Sequence, residues 1–150
     1  MIEKNIASED FNWSCKHTWR KSAKNTMWCV IGCVIGDFGT ILYFQLTQTP
    51  FPVLGIMILA IINGLLTSIM LETFILMRQD FKFVKALKTA CGMSFISMVA
   101  METTMNLTDY YLTGGAILTW WVVPIMLMVG FLTPWPYNYW RLKKFNQACH

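Results

Sequence analysis

The sequence predicts an all-α integral membrane protein, an up-down bundle of four transmembrane helices, and three observations carry that expectation. The chain has 150 residues, 55% of them hydrophobic and 13% charged, where an ordinary soluble domain is roughly 45–50% apolar and about 25% charged. The mean hydropathy is +0.46. The charges are gathered into a few segments that leave four apolar runs between them, and the connections alternate between basic and free of Lys and Arg.

Residues 1–25 are polar and read as a cytoplasmic N-terminal segment. Apolar runs extend from Thr26 to about Gln45, from about Phe51 to Met77, from about Thr89 to Leu107 and from about Ala116 to Pro134. Each is near or above the roughly 20 residues that cross a hydrocarbon core of about 30 Å. Residues 26–135 thus form the four-helix transmembrane domain and residues 136–150 a cytoplasmic C-terminal tail. The first run stands behind a long charged segment and lacks a small-residue cleavage site, so it reads as a retained span and not as a signal peptide. Pro124 is expected to kink the fourth helix, and Pro134 and Pro136 to end it.

Orientation follows from the basic residues. Lys4, Lys16, Arg20, Lys21 and Lys24 precede the first run; Arg78, Lys82, Lys85 and Lys88 separate the second from the third; Arg141, Lys143 and Lys144 follow the fourth. The opposite connections, 46–50 and 108–115, carry no Lys or Arg. The positive-inside rule therefore places both termini in the cytoplasm of a multi-pass protein. The net charge of +4 is accounted for by orientation in the lipid bilayer, and no nucleic-acid partner is expected. Trp28, Trp120, Trp121, Trp135, Tyr137, Tyr139 and Trp140 fall near span ends, where aromatic rings anchor in the headgroup zone.

Two polar stripes point to chemistry inside the bundle. On the first helix Cys29, Cys33 and Asp37 recur every four residues beside Gly32, Gly36 and Thr40, opposite an apolar face of Val30, Ile31, Val34, Ile35, Phe38 and Ile41. Glycines spaced in this way let helix backbones approach closely, and a homo-oligomer could use that face. On the third helix Cys91, Ser94, Met98, Met101, Glu102, Met105, Asn106 and Asp109 share one face. Cysteines and methionines at such positions also serve as small or flexible packing residues. A carboxylate within the membrane, by contrast, costs roughly 2.5–3.5 kcal/mol on insertion scales and needs a partner or a task. The second helix adds Asn63, Ser68 and Glu72, the last toward the cytoplasmic end, where ion pairing is an equal alternative to function. Met126 and Met128 are two residues apart and cannot face one ligand.

Thiolates and thioethers select soft metals such as Cu(I). Cys29, Cys33, Asp37, Met98, Met101, Glu102 and Met105 are the expected intramembrane ligands of a transition-metal ion, copper favoured. The tail pairs Cys15 with His17 and Cys149 with His150 would form an inner docking site for a cytoplasmic metal donor or acceptor. In the alternative, Asp37, Glu72, Glu102 and Asp109 form a proton or ion relay in a carrier or channel for a small solute. A third reading is an assembly or accessory subunit that binds a membrane complex through its small-residue face. An enzyme is disfavoured, since no Ser-His-Asp set, P-loop or dinucleotide fingerprint is present. His17 and His150 are the only histidines and fall outside the spans, which excludes a bis-His intramembrane haem. The odd number of cysteines, all on the cytoplasmic side or in the cytoplasmic half of a span, does not read as a disulfide framework.

The stretches HTWRKSAKNTMWCVIGCVIGD at 17–37, MVAMETTMN at 98–106 and PYNYWRLKK at 136–144, with the terminal Cys149 and His150, resemble a family of small bacterial membrane proteins. That family is described as domain of unknown function four-three-nine-six. The resemblance covers most of the chain after its first ten or so residues. It implies a small bundle in a bacterial inner membrane and brings no activity with it.

Topology can be checked by thiol labelling. A membrane-impermeant reagent should leave Cys15 and Cys149 unmodified in intact cells and reach them in inverted vesicles, with the reverse pattern for Thr113→Cys. Labelling of Cys15 or Cys149 from outside would reverse the orientation.

Overall fold

The computed structural model describes residues 13–144, and these are all-helical, with no strand among them. Five helices follow in order: α1 (Lys16–Thr47), α2 (Val53–Met77), α3 (Phe83–Thr113), α4 (Val122–Leu132) and α5 (Pro134–Lys144). Their ends follow local chemistry. α1 starts after an extended Cys15 and stops where Gln48 turns left-handed just before Pro50. α2 opens after an extended Pro52. α3 closes on Gly114, whose φ of 75° suits glycine and whose N–H donates to the Tyr110 carbonyl at 2.9 Å.

The helix bounds differ from the expected runs in two places. α1 begins at Lys16, well inside the segment expected to be a polar tail. Thr18, Ser22 and Thr26 lie on one helical face and are fully buried, so the basic first turns dock against α5. The second difference is in the fourth apolar run, which is helical over Val122–Leu132 and reaches the next helix only at Pro134. At about 1.5 Å per residue α4 covers roughly 16 Å, short of a hydrocarbon core of about 30 Å. Pro124 sits in its first turn, where a missing N–H costs nothing and no kink is required. Pro134 does not simply stop α4: it is the first residue of α5, the position at which proline is best tolerated.

The irregular stretch between α3 and α4 pairs part of its backbone with distant side chains. The Ile117 N–H donates to Asp109 Oδ2 at 2.9 Å, and the Leu118 N–H donates to Gln45 Oε1 at 3.1 Å. Gln45 Nε2 donates in return to the Leu118 carbonyl at 3.4 Å. Such pairing is what lets non-helical backbone persist where water is scarce.

α1 packs chiefly on α2, through small residues and hydroxyls. A Cβ on Gly32 would come within 2.7 Å of Ser68 Cα, and one on Gly36 would overlap the Asn63 carbonyl. Thr67 Oγ1 donates to the Gly32 carbonyl at 2.6 Å, Ser68 Oγ to the Cys29 carbonyl at 3.2 Å and Asn63 Nδ2 to Thr40 Oγ1 at 2.8 Å. At the other face α1 meets α5, where Asn138 Nδ2 donates to Thr26 Oγ1 at 2.8 Å and Ser22 Oγ to the Trp135 carbonyl at 3.0 Å. Tyr139 is not an interfacial anchor: it is fully buried and stacks on Trp19 at 4.2 Å and Trp13 at 5.2 Å. Val30 and Ile41, expected toward lipid, are buried as well.

The molecule has apolar groups outside and polar groups inside. Ile35, Leu54, Met70, Ile96 and Trp120 are exposed, whereas Asp37, Glu102, Asn106 and Asp109 are at most 1% exposed. α1 and α2 are long and apolar enough to cross a membrane, and α3 makes a third if its parts Phe83–Gly92 and Ser94–Thr113, which meet at 53°, are one span. This is consistent with a membrane protein.

The close approach of α1 and α2 makes two glycines of one helix behave differently. Gly36→Ala should destabilise the chain by about 1–3 kcal/mol through overpacking. Gly39 has nothing within 4 Å of a new Cβ, so Gly39→Ala should be neutral or stabilise by up to about 1 kcal/mol. Unfolding by SDS titration in micelles measures both, and equal effects would mean that α1 and α2 do not meet at Gly36.

Candidate functional site

The two polar stripes face each other inside the bundle. Cys29 and Cys33 of α1, Met98, Met101 and Met105 of α3, and Val122 and Met126 of α4 belong to one buried cluster. The register on α1 is set by Gly32 and Gly36, which seat on α2 and turn the Cys29, Cys33 and Asp37 side of the helix inward. On α4, Gly130 opens a groove in which Met105 and Met101 lie: a Cβ there would meet Met105 Sδ. Met126 is fully buried while Met128 is exposed, as a two-residue separation on a helix demands.

The carboxylates lie within this sulfur-lined seam. Asn106 Nδ2 donates to Asp37 Oδ1 at 3.2 Å and to the Glu102 carbonyl at 3.1 Å, joining α1 to α3. Glu102 lies beside the Cys33 thiol and within electrostatic reach of Asp37. Its carboxylate rests on α2 at Gly64, where a Cβ would overlap it. Asp37 Oδ2, both Glu102 oxygens and Asn106 Oδ1 are buried and find no hydrogen-bond donor among the described residues. A buried acceptor left unpaired costs about 1–3 kcal/mol, and more when it is charged. The seam is therefore a place where acceptors outnumber donors.

The other expected site residues are elsewhere. Asp109 uses Oδ2 for the Ile117 N–H and Oδ1 for the Thr113 hydroxyl at 3.2 Å, which braces the turn after α3. Glu72 lines a cavity of about 590 Å³ toward the basic end, together with Ser94 and Arg141. Burial pushes the Arg141 guanidinium down from its ordinary value, and the Glu72 carboxylate opposes that shift. Cys15 stands just before α1 and His17 is exposed in its first turn. Cys15 is fourteen positions from Cys29 in sequence, about 21 Å along a helix, so neither tail residue joins the seam. Cys149 and His150 lie outside the described residues. Cys91 is half-buried at the start of the α3 stripe. Among the described residues no group of three or more His, Cys, Asp and Glu side chains is gathered where it could hold a metal ion.

Sequence reasoning missed Gly64 and Gly130, which receive Glu102 and Met105. A signal for the first was present, because Ala60, Gly64 and Ser68 recur every four residues and all three are buried.

With this geometry in place, the comparison with known proteins assigns the family: residues 18–147 match the family described as Domain of unknown function (DUF4396), and the chain belongs to it. No curated protein and no solved structure matches the chain.

The seating of Glu102 on Gly64 can be tested by a double-mutant cycle. Gly64→Ala should destabilise the chain, and the same change in a Glu102→Ala background should be close to neutral, giving a coupling of about 0.5–3 kcal/mol. Additive effects in SDS unfolding would place the carboxylate away from α2.

Proposed function

We propose that this member of the family is a multi-pass protein of a bacterial inner membrane that binds a soft transition-metal ion, copper favoured, within its bundle. In this reading both termini are cytoplasmic and the chain crosses four times, the fourth crossing combining the irregular stretch 114–121 with α4. The observation that carries it is one buried cluster holding Cys29, Cys33, Met98, Met101, Met105 and Met126, with Glu102 beside Cys33 and with Asp37 Oδ2 and both Glu102 oxygens left without hydrogen-bond partners among the described residues. Thioethers are neutral ligands that suit Cu(I), thiolates add charge and softness, and the carboxylates balance a cation in a buried site. Transport, or delivery to a cytoplasmic partner through the tails, is the role such a site would serve.

A proton-coupled carrier is the second reading, favoured by the donor-poor Asp37 and Glu102 pair alone, which a proton could relieve as well as a metal ion. Its relay would be shorter than the sequence suggests, because Asp109 is engaged in a turn and Glu72 lies in a separate cavity. The accessory-subunit and homo-oligomer readings rested on the glycine face of α1, and that face is filled by α2 of the same chain.

Copper retention separates these readings. The full chain, purified under reducing conditions and loaded with Cu(I), should keep copper against a competing chelator. Cys29→Ser and Cys33→Ser should weaken retention by more than the roughly 10–100-fold expected for outer-shell partners, and Asp37→Asn and Glu102→Gln should also weaken it. If wild-type protein keeps no copper, while Asp37→Asn and Glu102→Gln abolish proton flux in liposomes and the serine variants spare it, the carrier reading replaces the metal reading.

A further inference from the structure

The cavity of about 590 Å³ between α1, α2, α3 and α5 has an exposed rim and a buried floor. Asn25 and Gln79 are exposed at the rim, whereas Ala90, Ser94 and Arg141 are at most 8% exposed. On three helices at once the cavity wall lies one turn from the seam. Asn25 stands four residues from Cys29 on α1, Ser94 four from Met98 on α3, and Glu72 four from Ser68 on α2, whose Oγ is 3.6 Å from Cys29 Sγ. Four residues of helix rise about 6 Å, so cavity and seam are successive levels of one interior. Three polar side chains stand between them. Arg141 Nη1 donates to Ser94 Oγ at 3.5 Å, Glu72 lies beside Ser94 and within electrostatic reach of Arg141, and Arg141 is itself within reach of Cys29. Ionisable residues inside a transmembrane bundle face its interior or a water-filled cavity, pair with one another and mark ion paths.

On the reading of the seam as a cation site, we infer that this cavity is its entrance and that Arg141 and Glu72 form a charge gate between the two. While they face each other their charges offset, and the Arg141 side chain stays across the floor. A cation that enters the cavity competes with Arg141 for Glu72 and draws the guanidinium off the path. The last step to Cys29 is then a single helical turn.

Thiol modification of Cys29 tests the gate without any metal. In the full chain with Cys15, Cys33, Cys91 and Cys149 replaced by serine, held in nanodiscs, Cys29 is reacted with two methanethiosulfonates, the cationic 2-(trimethylammonium)ethyl and the anionic 2-sulfonatoethyl reagent. Arg141→Gln should raise the ratio of the cationic to the anionic rate by about tenfold or more, and Glu72→Gln should lower it, because a unit charge beside the path acts oppositely on the two reagents. A substitution that merely loosens the fold speeds both alike. Asn25→Trp, at the exposed rim, should slow both reagents by filling the entrance. An unchanged ratio in folded Arg141→Gln or Glu72→Gln protein, or undiminished rates in Asn25→Trp, overturns the inference. Failure of wild-type protein to retain copper would instead sink the reading of the seam and leave these rates as they are.

Discussion

The backbone contact between α1 and α2 is the constraint on which the rest of the structure depends. Gly32 and Gly36 have no side chain to hold the helices apart, so Ser68 and Asn63 come against the α1 backbone itself. Between transmembrane helices there is little hydrophobic driving force, and close van der Waals packing with small residues takes its place. The hydroxyls of Thr67 and Ser68 then reach α1 carbonyls that a wider separation would leave out of range. Once α1 is seated in this way, its rotation is set. Cys29, Cys33 and Asp37 must point to the interior and meet the stripe on α3.

That placement creates an electrostatic deficit. Each carboxylate costs roughly 2.5–3.5 kcal/mol to bring to membrane depth on insertion scales, whereas an interhelical hydrogen bond in a membrane returns on average about 0.6 kcal/mol. Asn106 supplies one donor to Asp37 and none to the Glu102 side chain. The surrounding thioethers are weak acceptors and supply none, and the Cys33 thiol beside Glu102 is only a weak donor. A cation or a proton has the missing charge, which is why the metal and the carrier readings use the same two acids and differ only in the part played by sulfur.

Much of this was legible in the sequence, because the relevant signal is angular. Cys29, Cys33 and Asp37, and Met98 to Asn106, repeat at helical spacing, and a stripe that carries charges in an apolar helix has to face inward. The partners of those stripes were harder to see. Gly64 and Gly130 matter through the side chains they admit from other helices, and no spacing within α2 or α4 says that Glu102 or Met105 arrives there. Tyr139 was equally hidden. Its position near a span end suggests an anchor, yet α5 folds back along the first turns of α1 and buries it against Trp19. The stretch 116–121 is apolar enough to read as helix, and its irregular path depends on Gln45 and Asp109 accepting the backbone N–H groups of Leu118 and Ile117.

The two polar regions lie along one helix and bear opposite electrostatic character. Arg141 is within electrostatic reach of Cys29, and Asp37 is two helical turns further along α1, or about 12 Å. Arg141 lies with Lys21 and Asn25, on the far side of Cys29 from Asp37, so the roughly 1.4 kcal/mol of two unit charges about 12 Å apart at an effective dielectric of about 20 is an upper figure for its action on the seam. The sign favours ionised carboxylates in the seam and opposes any cation brought to it.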